Sequence, residues 1–311
     1  MKIAILDLGT NTFHLLIAEV KRGKFKVIFK SKIVVKLVEG SIQKNVIAKV
    51  PFRRGIDALL HYSDVIDTYK PKEVHAFATS AIRSSDNGNE FVRMAKKSSG
   101  IKINVITGAK EAGLIYYGVR QCVNLNGGTS LIMDIGGGST EFIIAGEKKV
   151  YWKQSFNIGA ARLLEMFKPS DPITPNEILA IEAHLKKQLA PLAVAIKKYP
   201  VKKLIGSSGS FDTFAEMSGH RFYNRNVIKK VKSYKFKMDE FYRMHDIIIG
   251  STVEERLKMK GLIKMRVDMI VIAAICTNYI LKKFNLEEMH LSKYALKEGA
   301  LWDIMNRKKK L

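Results

Sequence analysis

An apolar run at 3–6 stops at Asp7, which predicts a strand ending in the turn Gly9-Thr10-Asn11-Thr12. Apolar and polar residues then alternate over 13–19 and again over 24–29, on either side of Arg22-Gly23, and predict a hairpin. The period changes after that. Ile56, Leu59, Leu60, Val65 and Ile66 recur at helical spacing, so 51–69 predicts a helix. A short apolar run at 74–78, a helix at 89–97, a strand at 102–106 and a helix at 110–123 complete an alternating α/β order.

The opening pattern then recurs. Residues 7–18 read DLGTNTFHLLIA and residues 134–145 read DIGGGSTEFIIA. At a constant offset of 127, Asp7 falls on Asp134, Gly9 on Gly136, Thr12 on Ser139, His14 on Glu141 and Ala18 on Ala145. So long a period excludes a solenoid and predicts two related lobes, each beginning strand, turn, strand. Strands continue to about residue 156. Thr174, Pro175 and Glu177 mark a helix start with a capping box. A strand at 203–205 leads into Gly206-Ser207-Ser208-Gly209. Helices near 209–218, 239–249 and 266–283, a strand at 289–292 and a helix at 295–308 follow.

Composition narrows the class. With 47% hydrophobic and 26% charged residues in 311, the chain is globular rather than disordered. Two cysteines, Cys122 and Cys276, exclude a disulfide scaffold; their apolar surroundings predict buried thiols and fit a reducing cytoplasm. The longest apolar stretch, 269–281, is too short to span a bilayer, and no secretion signal is visible, so no membrane role is expected. Lys and Arg number 53 against 29 Asp and Glu, a net charge of +24. That excess points to a polyanionic partner or to a solvated basic surface. Forty of the 53 are lysines, point charges that suit sequence-blind phosphate binding better than base reading. The charge is spread as +11 before residue 122 and +13 after it. Lys308, Lys309 and Lys310 form a short terminal run that reads as a solvated helix end.

Chemistry concentrates in a few segments. The two Asp-x-Gly turns expose backbone amides without side chains in the way, and their hydroxyls add donors, as a phosphate requires. The Asp before each turn would share that space with phosphate oxygens, which calls for a bridging cation such as Mg²⁺. Arg83 follows the strand at 74–78, where open α/β sheets bind ligands. Glu111 opens a helix; there it is either a carboxylate stabilising a helix N-terminus or a general base. The seven histidines show no zinc spacing, and neither a Walker loop nor a nucleophile elbow is present.

DLGTNT (7–12), ATSAIR (78–83), ITGAKEA (106–112), DIGGGSTE (134–141), IGSSGS (205–210) and, more weakly, RVDMI (266–270) with LKEGAL (296–301) occur in one order over nearly the whole chain. In these the sequence resembles the exopolyphosphatase/guanosine pentaphosphate phosphohydrolase family in its short, two-domain form. The resemblance implies an α/β fold of two ribonuclease-H-like lobes, of the acetate and sugar kinase, heat-shock ATPase and actin superfamily, with an interlobe cleft. It places one lobe at 1–121, with a C-terminal helix at 295–311 packing back on it, and the other at 122–294.

The resemblance further implies a cytoplasmic, metal-dependent hydrolase, commonly a homodimer, that needs Mg²⁺ or Mn²⁺. Its substrate would be polyphosphate or guanosine pentaphosphate, with no nucleic acid. Glu111 would be the base, with Asp134 and Glu141 as essential acids. Gly9, Thr10, Asn11, Thr12, Arg83, Gly136, Gly137, Gly138, Ser139 and Thr140 would cradle phosphates. Gly206, Ser207, Ser208, Gly209, Ser210 and Arg266 would meet the distal substrate, and Asp7, Asp134 and Glu141 the metal. Lys297 stands where the family commonly has arginine. The large positive charge tilts the choice toward inorganic polyphosphate. The alternatives are a guanosine pentaphosphate phosphohydrolase, a phosphotransferase of the same superfamily, and a non-catalytic polyphosphate or alarmone binder.

Overall fold

The computed structural model describes residues 1–40 and 44–307; Lys308, Lys309 and Lys310 lie outside them. The chain divides into two compact units, Met1–Tyr117 with the segment from Leu296, and Gly118–Ala295.

The first unit begins with the expected hairpin, β1 (Lys2–Leu8), β2 (Thr12–Lys21) and β3 (Lys24–Val34). Arg22 and Gly23, both at positive φ, make the two-residue turn between β2 and β3. Then come α1 (Lys49–Tyr69), β4 (Glu73–Ala78), α2 (Ser80–Ser84), α3 (Gly88–Ser99), β5 (Ile103–Val105) and α4 (Gly108–Val119). The sheet order is β3-β2-β1-β4-β5, with β1, β4 and β5 parallel. Leu6, Leu8, Phe13, Leu15 and Ile17 pack one sheet face against Leu59 and Tyr62 of α1 and Phe91 of α3.

The second unit repeats this order: β6 (Ser130–Ile135), β7 (Thr140–Ala145), β8 (Val150–Phe156), α5 (Ala160–Phe167), α6 (Pro175–Gln188), α7 (Ala190–Lys198), β9 (Lys203–Ser207), α8 (Gly209–Tyr223), β10 (Ser233–Lys235), α9 (Met238–Ile249), α10 (Val253–Lys258), α11 (Met269–Lys283) and β11 (Glu288–Ser292). The sheet runs β10-β11-β9-β6-β7-β8, the first unit's order with one added edge strand. Every residue of β6 and β7 is buried, as fits a sheet covered on both faces. The chain ends in α12 (Leu296–Arg307), which packs on β1 of the first unit.

Both units therefore have the ribonuclease-H-like α/β pattern expected from the sequence. The duplication extends to irregularities. β2 slips against β3 between Ile17 and Ala18, and β7 slips against β8 between Ile144 and Ala145, again 127 residues apart.

Several boundaries differ from expectation: the strand expected over 24–29 runs on to Val34, and the helix expected near 209–218 runs on to Tyr223. The helix expected over 110–123 stops at Val119, because the Cys122 and Val123 amides both return to the Val119 carbonyl in a turn. The strand expected over 203–205 reaches Ser207, since Gly206 and Ser207 pair with β11 on one side and β6 on the other. The helix expected from 266 starts at Met269, after a single 3₁₀ turn at Lys264–Arg266. Cys276 is buried as expected, and burial pushes its thiol up to about 12. Cys122 is only partly buried, and its Sγ lies 2.9 Å from Ser292 Oγ. No helix among the described residues is long and apolar enough to cross a membrane.

Candidate functional site

The two Asp-x-Gly turns share one construction. In the first unit the Gly9 amide donates to Thr12 O at 3.1 Å, and a Cβ on Gly9 would stand 3.0 Å from that oxygen. The carbonyl of Thr10 accepts from the Leu37 amide, and that of Asn11 from the Val35 and Lys36 amides. In a trans peptide the next N–H points opposite to the carbonyl. Anchoring those carbonyls on residues 35–37 therefore turns the Asn11 and Thr12 amides the other way. Arg54 steadies the anchor, donating from Nε to Val35 O at 2.6 Å and from Nη2 to Lys36 O at 3.3 Å.

In the second unit the Gly136 amide donates to Ser139 O at 3.0 Å, and a Cβ on Gly136 would lie 2.9 Å from that oxygen. The three glycine carbonyls are anchored on the start of α5: Gly136 O accepts from the Ala160 amide, Gly137 O from the Arg162 amide, and Gly138 O from the Gly159 amide. Arg162 Nε also donates to Gly138 O at 2.9 Å. Burial lowers the Arg162 pKa, so its charge sits in a poorly solvated place where the carbonyl contact matters. By the same geometry the Gly137, Gly138 and Ser139 amides point away from α5. Three successive amides turned to one side, two of them on glycines, suit an anion.

Each turn is headed by a carboxylate. Asp7 faces His14 in the β1–β2 register, and Asp134 faces Glu141 in the β6–β7 register. His14 Nε2 lies 2.9 Å from Thr12 Oγ1, and Lys297 Nζ lies 3.8 Å from Asp7 Oδ2. Asp134 is 5% exposed and accepts from Ser207 Oγ at one oxygen and from Ser208 Oγ, at 2.6 Å, at the other. Glu141 is 1% exposed; its Oε1 accepts from Ser139 Oγ and Ser155 Oγ, each at 2.6 Å. Thr140 is also buried, its hydroxyl donating to Ile158 O.

The 206–210 segment supports Asp134 directly. Ser208 has φ 69 and ψ −178, a region that is essentially glycine's alone. That backbone directs the Ser208 hydroxyl onto Asp134. Gly206 is required because a Cβ there would enter the Phe211 ring, and Gly209 because a Cβ would strike the Arg266 guanidinium. Arg266 lies against Gly209 and donates to Thr213 Oγ1 at 2.6 Å. Burial lowers its pKa, partly opposed by Asp212 and Glu216. Ser210 lies in the first turn of α8.

Glu111 belongs to the first unit. Thr107 accepts the Lys110 amide at its hydroxyl and the Glu111 amide at its carbonyl, which starts α4 and sets Glu111 in its first turn. The Glu111 carboxylate is 7% exposed and accepts from Arg83 Nη1 at 2.9 Å; the same nitrogen donates to Ile106 O at 3.0 Å. A guanidinium at that distance favours the carboxylate over the acid, the form a base needs.

The structure thus joins Arg83 with Glu111 in one unit, and Asp134, Glu141, the 136–140 turn and the 206–210 segment in the other. Among the described residues no three His, Cys, Asp or Glu side chains converge as a metal-binding group. The residues that sequence reasoning missed are the anchors, Arg54, Gly159 and Arg162. Only Gly159 carries a signal, as a glycine between a strand and a helix: its Cβ would lie 2.5 Å from backbone atoms of Gly137 and Gly138.

Residues 16–308 match the model of the Ppx/GppA phosphatase family. The fold superposes with a TM-score of 0.95 on an exopolyphosphatase from Cytophaga hutchinsonii, 36% identical, over 99% of this chain and 98% of that one. A Ppx/GppA family member from Aquifex aeolicus superposes with a TM-score of 0.81 at 26% identity, over 99% and 98% of the two chains. The guanosine-5'-triphosphate,3'-diphosphate pyrophosphatase of Photobacterium profundum is 27% identical over 308 residues, 98% of this chain but only 59% of that protein.

Proposed function

The chain belongs to the Ppx/GppA phosphatase family, and we propose that it is a metal-dependent exopolyphosphatase. Hydrolysis of phosphoanhydrides follows from the family; the substrate and the roles of individual residues are the proposal. In this reading Glu111 removes a proton from a water as its oxygen bonds to the terminal phosphorus. The bridging P–O bond breaks, the shortened chain leaves with the bridging oxygen, and orthophosphate is released. Such a reaction needs positioning and charge stabilisation more than covalent help. The outward amides of Asn11, Thr12, Gly137, Gly138 and Ser139 supply donors for phosphate oxygens. Arg83 positions the base.

Asp134 and Glu141, neighbours across the β6–β7 ladder, would hold Mg²⁺ or Mn²⁺. Their hard carboxylate oxygens suit such an ion, which commonly takes one or two carboxylates and completes its shell with water and phosphate oxygens. The ion would neutralise charge on the phosphates.

The observation that carries the reading is the repeated amide nest, built once in each unit with a carboxylate at its head. Each such nest suits a phosphate group, and the likeness to the Cytophaga hutchinsonii enzyme supports the choice of polyphosphate. The relative in Photobacterium profundum supports guanosine pentaphosphate as the second reading. Phosphate release from long polyphosphate, tripolyphosphate and guanosine pentaphosphate, measured side by side, separates them. Faster turnover of polyphosphate is expected; turnover of the nucleotide alone would overturn the choice.

A further inference from the structure

Between residues 221 and 237 the sequence reads RFYNRNVIKKVKSYKFK, with seven basic residues and no acidic one. The segment closes α8, forms a loop and enters β10 at the sheet edge. Lys235 pairs with Glu288 and Lys237 with Glu240, so those charges are locally balanced. Among the described residues no carboxylate lies within ion-pair distance of Arg225, Lys229, Lys230 or Lys232. Tyr223, Asn226 and Tyr234 join Arg225, Lys229 and Lys230 around a recess of about 560 Å³.

The loop is fixed in place. The Lys293 amide donates to Lys232 O at 2.9 Å, and Lys293 Nζ to Ile228 O at 2.8 Å. Lys232 Nζ stands 5.6 Å from the centre of the Tyr294 ring. Holding several like charges in one ordered loop is unfavourable unless an anion compensates.

Register places this loop relative to the second amide nest, within the same unit. Asp134 pairs with Ser207, Ser207 with Ser292, and Ser292 with Ser233. The four residues form a row across one end of the sheet. Three strand spacings put Ser233 about 14 Å from Asp134. The turn at Gly136 and the loop that ends at Lys232 therefore emerge from the same end of the sheet.

We propose that Arg225, Lys229, Lys230 and Lys232 form a docking site for the distal part of an inorganic polyphosphate chain. The inference rests on the polyphosphate reading above. Lysine ammonium groups on a flexible stem suit a chain of equivalent phosphates, which offers no shape to read.

The test is a charge reversal, Lys229→Glu with Lys230→Glu, in the full chain. Lys186→Glu with Lys187→Glu, on exposed positions of α6, makes the same charge change elsewhere. The first variant should raise KM for long polyphosphate about tenfold or more and flatten its dependence on salt, because fewer counterions are released. Its kcat and its kinetics on tripolyphosphate should match those of the parent, as should the control on both substrates. An unchanged KM for long chains, or an equal rise in the control, would overturn the site. If the parent hydrolyses only guanosine pentaphosphate, the substrate reading fails by itself. Direct titration with long polyphosphate then decides the site: tight binding lost in the first variant alone upholds it, and no binding ends it. Preferential binding of single-stranded RNA there would also end it.

Discussion

Arg83 reaches from α2 to Glu111 on α4, its Nη1 at 2.9 Å from the Glu111 carboxylate. Neither residue is adjacent in sequence; β4 and β5 bring them together as parallel neighbours in the sheet. Replacing Glu111 by Gln keeps the shape and removes the base, so kcat for phosphate release should fall by roughly 10²–10⁴ with little change in KM. Full activity in Glu111→Gln would remove Glu111 from the mechanism.

Arg83→Gln leaves a largely buried carboxylate without its guanidinium. Stability should drop by about 1–3 kcal/mol, because the buried carboxylate loses a charge-assisted hydrogen bond. Adding Glu111→Gln to Arg83→Gln should recover part of that loss, since a neutral amide no longer needs the cation. Denaturant titration of the two single variants and the double variant reads the coupling directly. Strict additivity would mean the contact carries no energy.

Gly159→Ala should damage the second nest from behind. The new methyl would press on backbone atoms of Gly137 and Gly138 at 2.5 Å, and backbone yields less than a side chain. A cost of about 1–3 kcal/mol is expected, with a raised KM for phosphate substrates. Arg162→Gln should raise KM by the same route while leaving kcat nearer the parent value. Unchanged KM in both variants would show that α5 does not hold the turn.

Ser208 separates strain from hydrogen bonding. Both Ser208→Ala and Ser208→Gly remove the hydroxyl from Asp134. Only the glycine also relieves φ 69 with ψ −178, so Ser208→Gly should be more stable than Ser208→Ala by about 1–3 kcal/mol. Both should lose activity relative to the parent. Thermal melts and turnover of the two variants check each half, and equal stabilities would mean the backbone is unstrained.

Glu177 gives a pH signature far from the site. Hydrogen bonds from the Ser170 hydroxyl and the Thr174 and Ser170 amides hold its carboxyl at about 2, below its usual 4.5. A depressed folded pKa stabilises above the unfolded value and loses that contribution as pH falls through the folded one. The melting-temperature gap between the parent and Glu177→Ala should therefore be full above pH 4.5 and shrink toward pH 2. A constant gap across that range would contradict the capping interaction.

Much of the fold was legible because its signals are local. The Thr174–Glu177 capping box, the Arg22-Gly23 turn and the 127-residue repeat each rest on neighbouring residues. The positions of Asp134 and Glu141 within one ladder were implicit in the DIGGGSTE motif, since a tight turn makes its flanks face each other. What remained hidden depends on distant partners. Nothing around Arg162 or Arg54 reveals that they hold the carbonyls that set a nest's orientation. The end of α4 at Val119 was equally hidden, because apolar residues continue past it and only the turn geometry stops the helix.

The matched slips at Ile17/Ala18 and Ile144/Ala145 bear on ancestry. A bulge interrupts a ladder, and these two sit away from the turns that hold the chemistry, so convergence on the same position gains little. A shared flaw is a better genealogical marker than a shared solution. The two units read as copies of one ancestral hairpin that kept its defect while the residue opposite the leading aspartate diverged, to histidine in one copy and glutamate in the other.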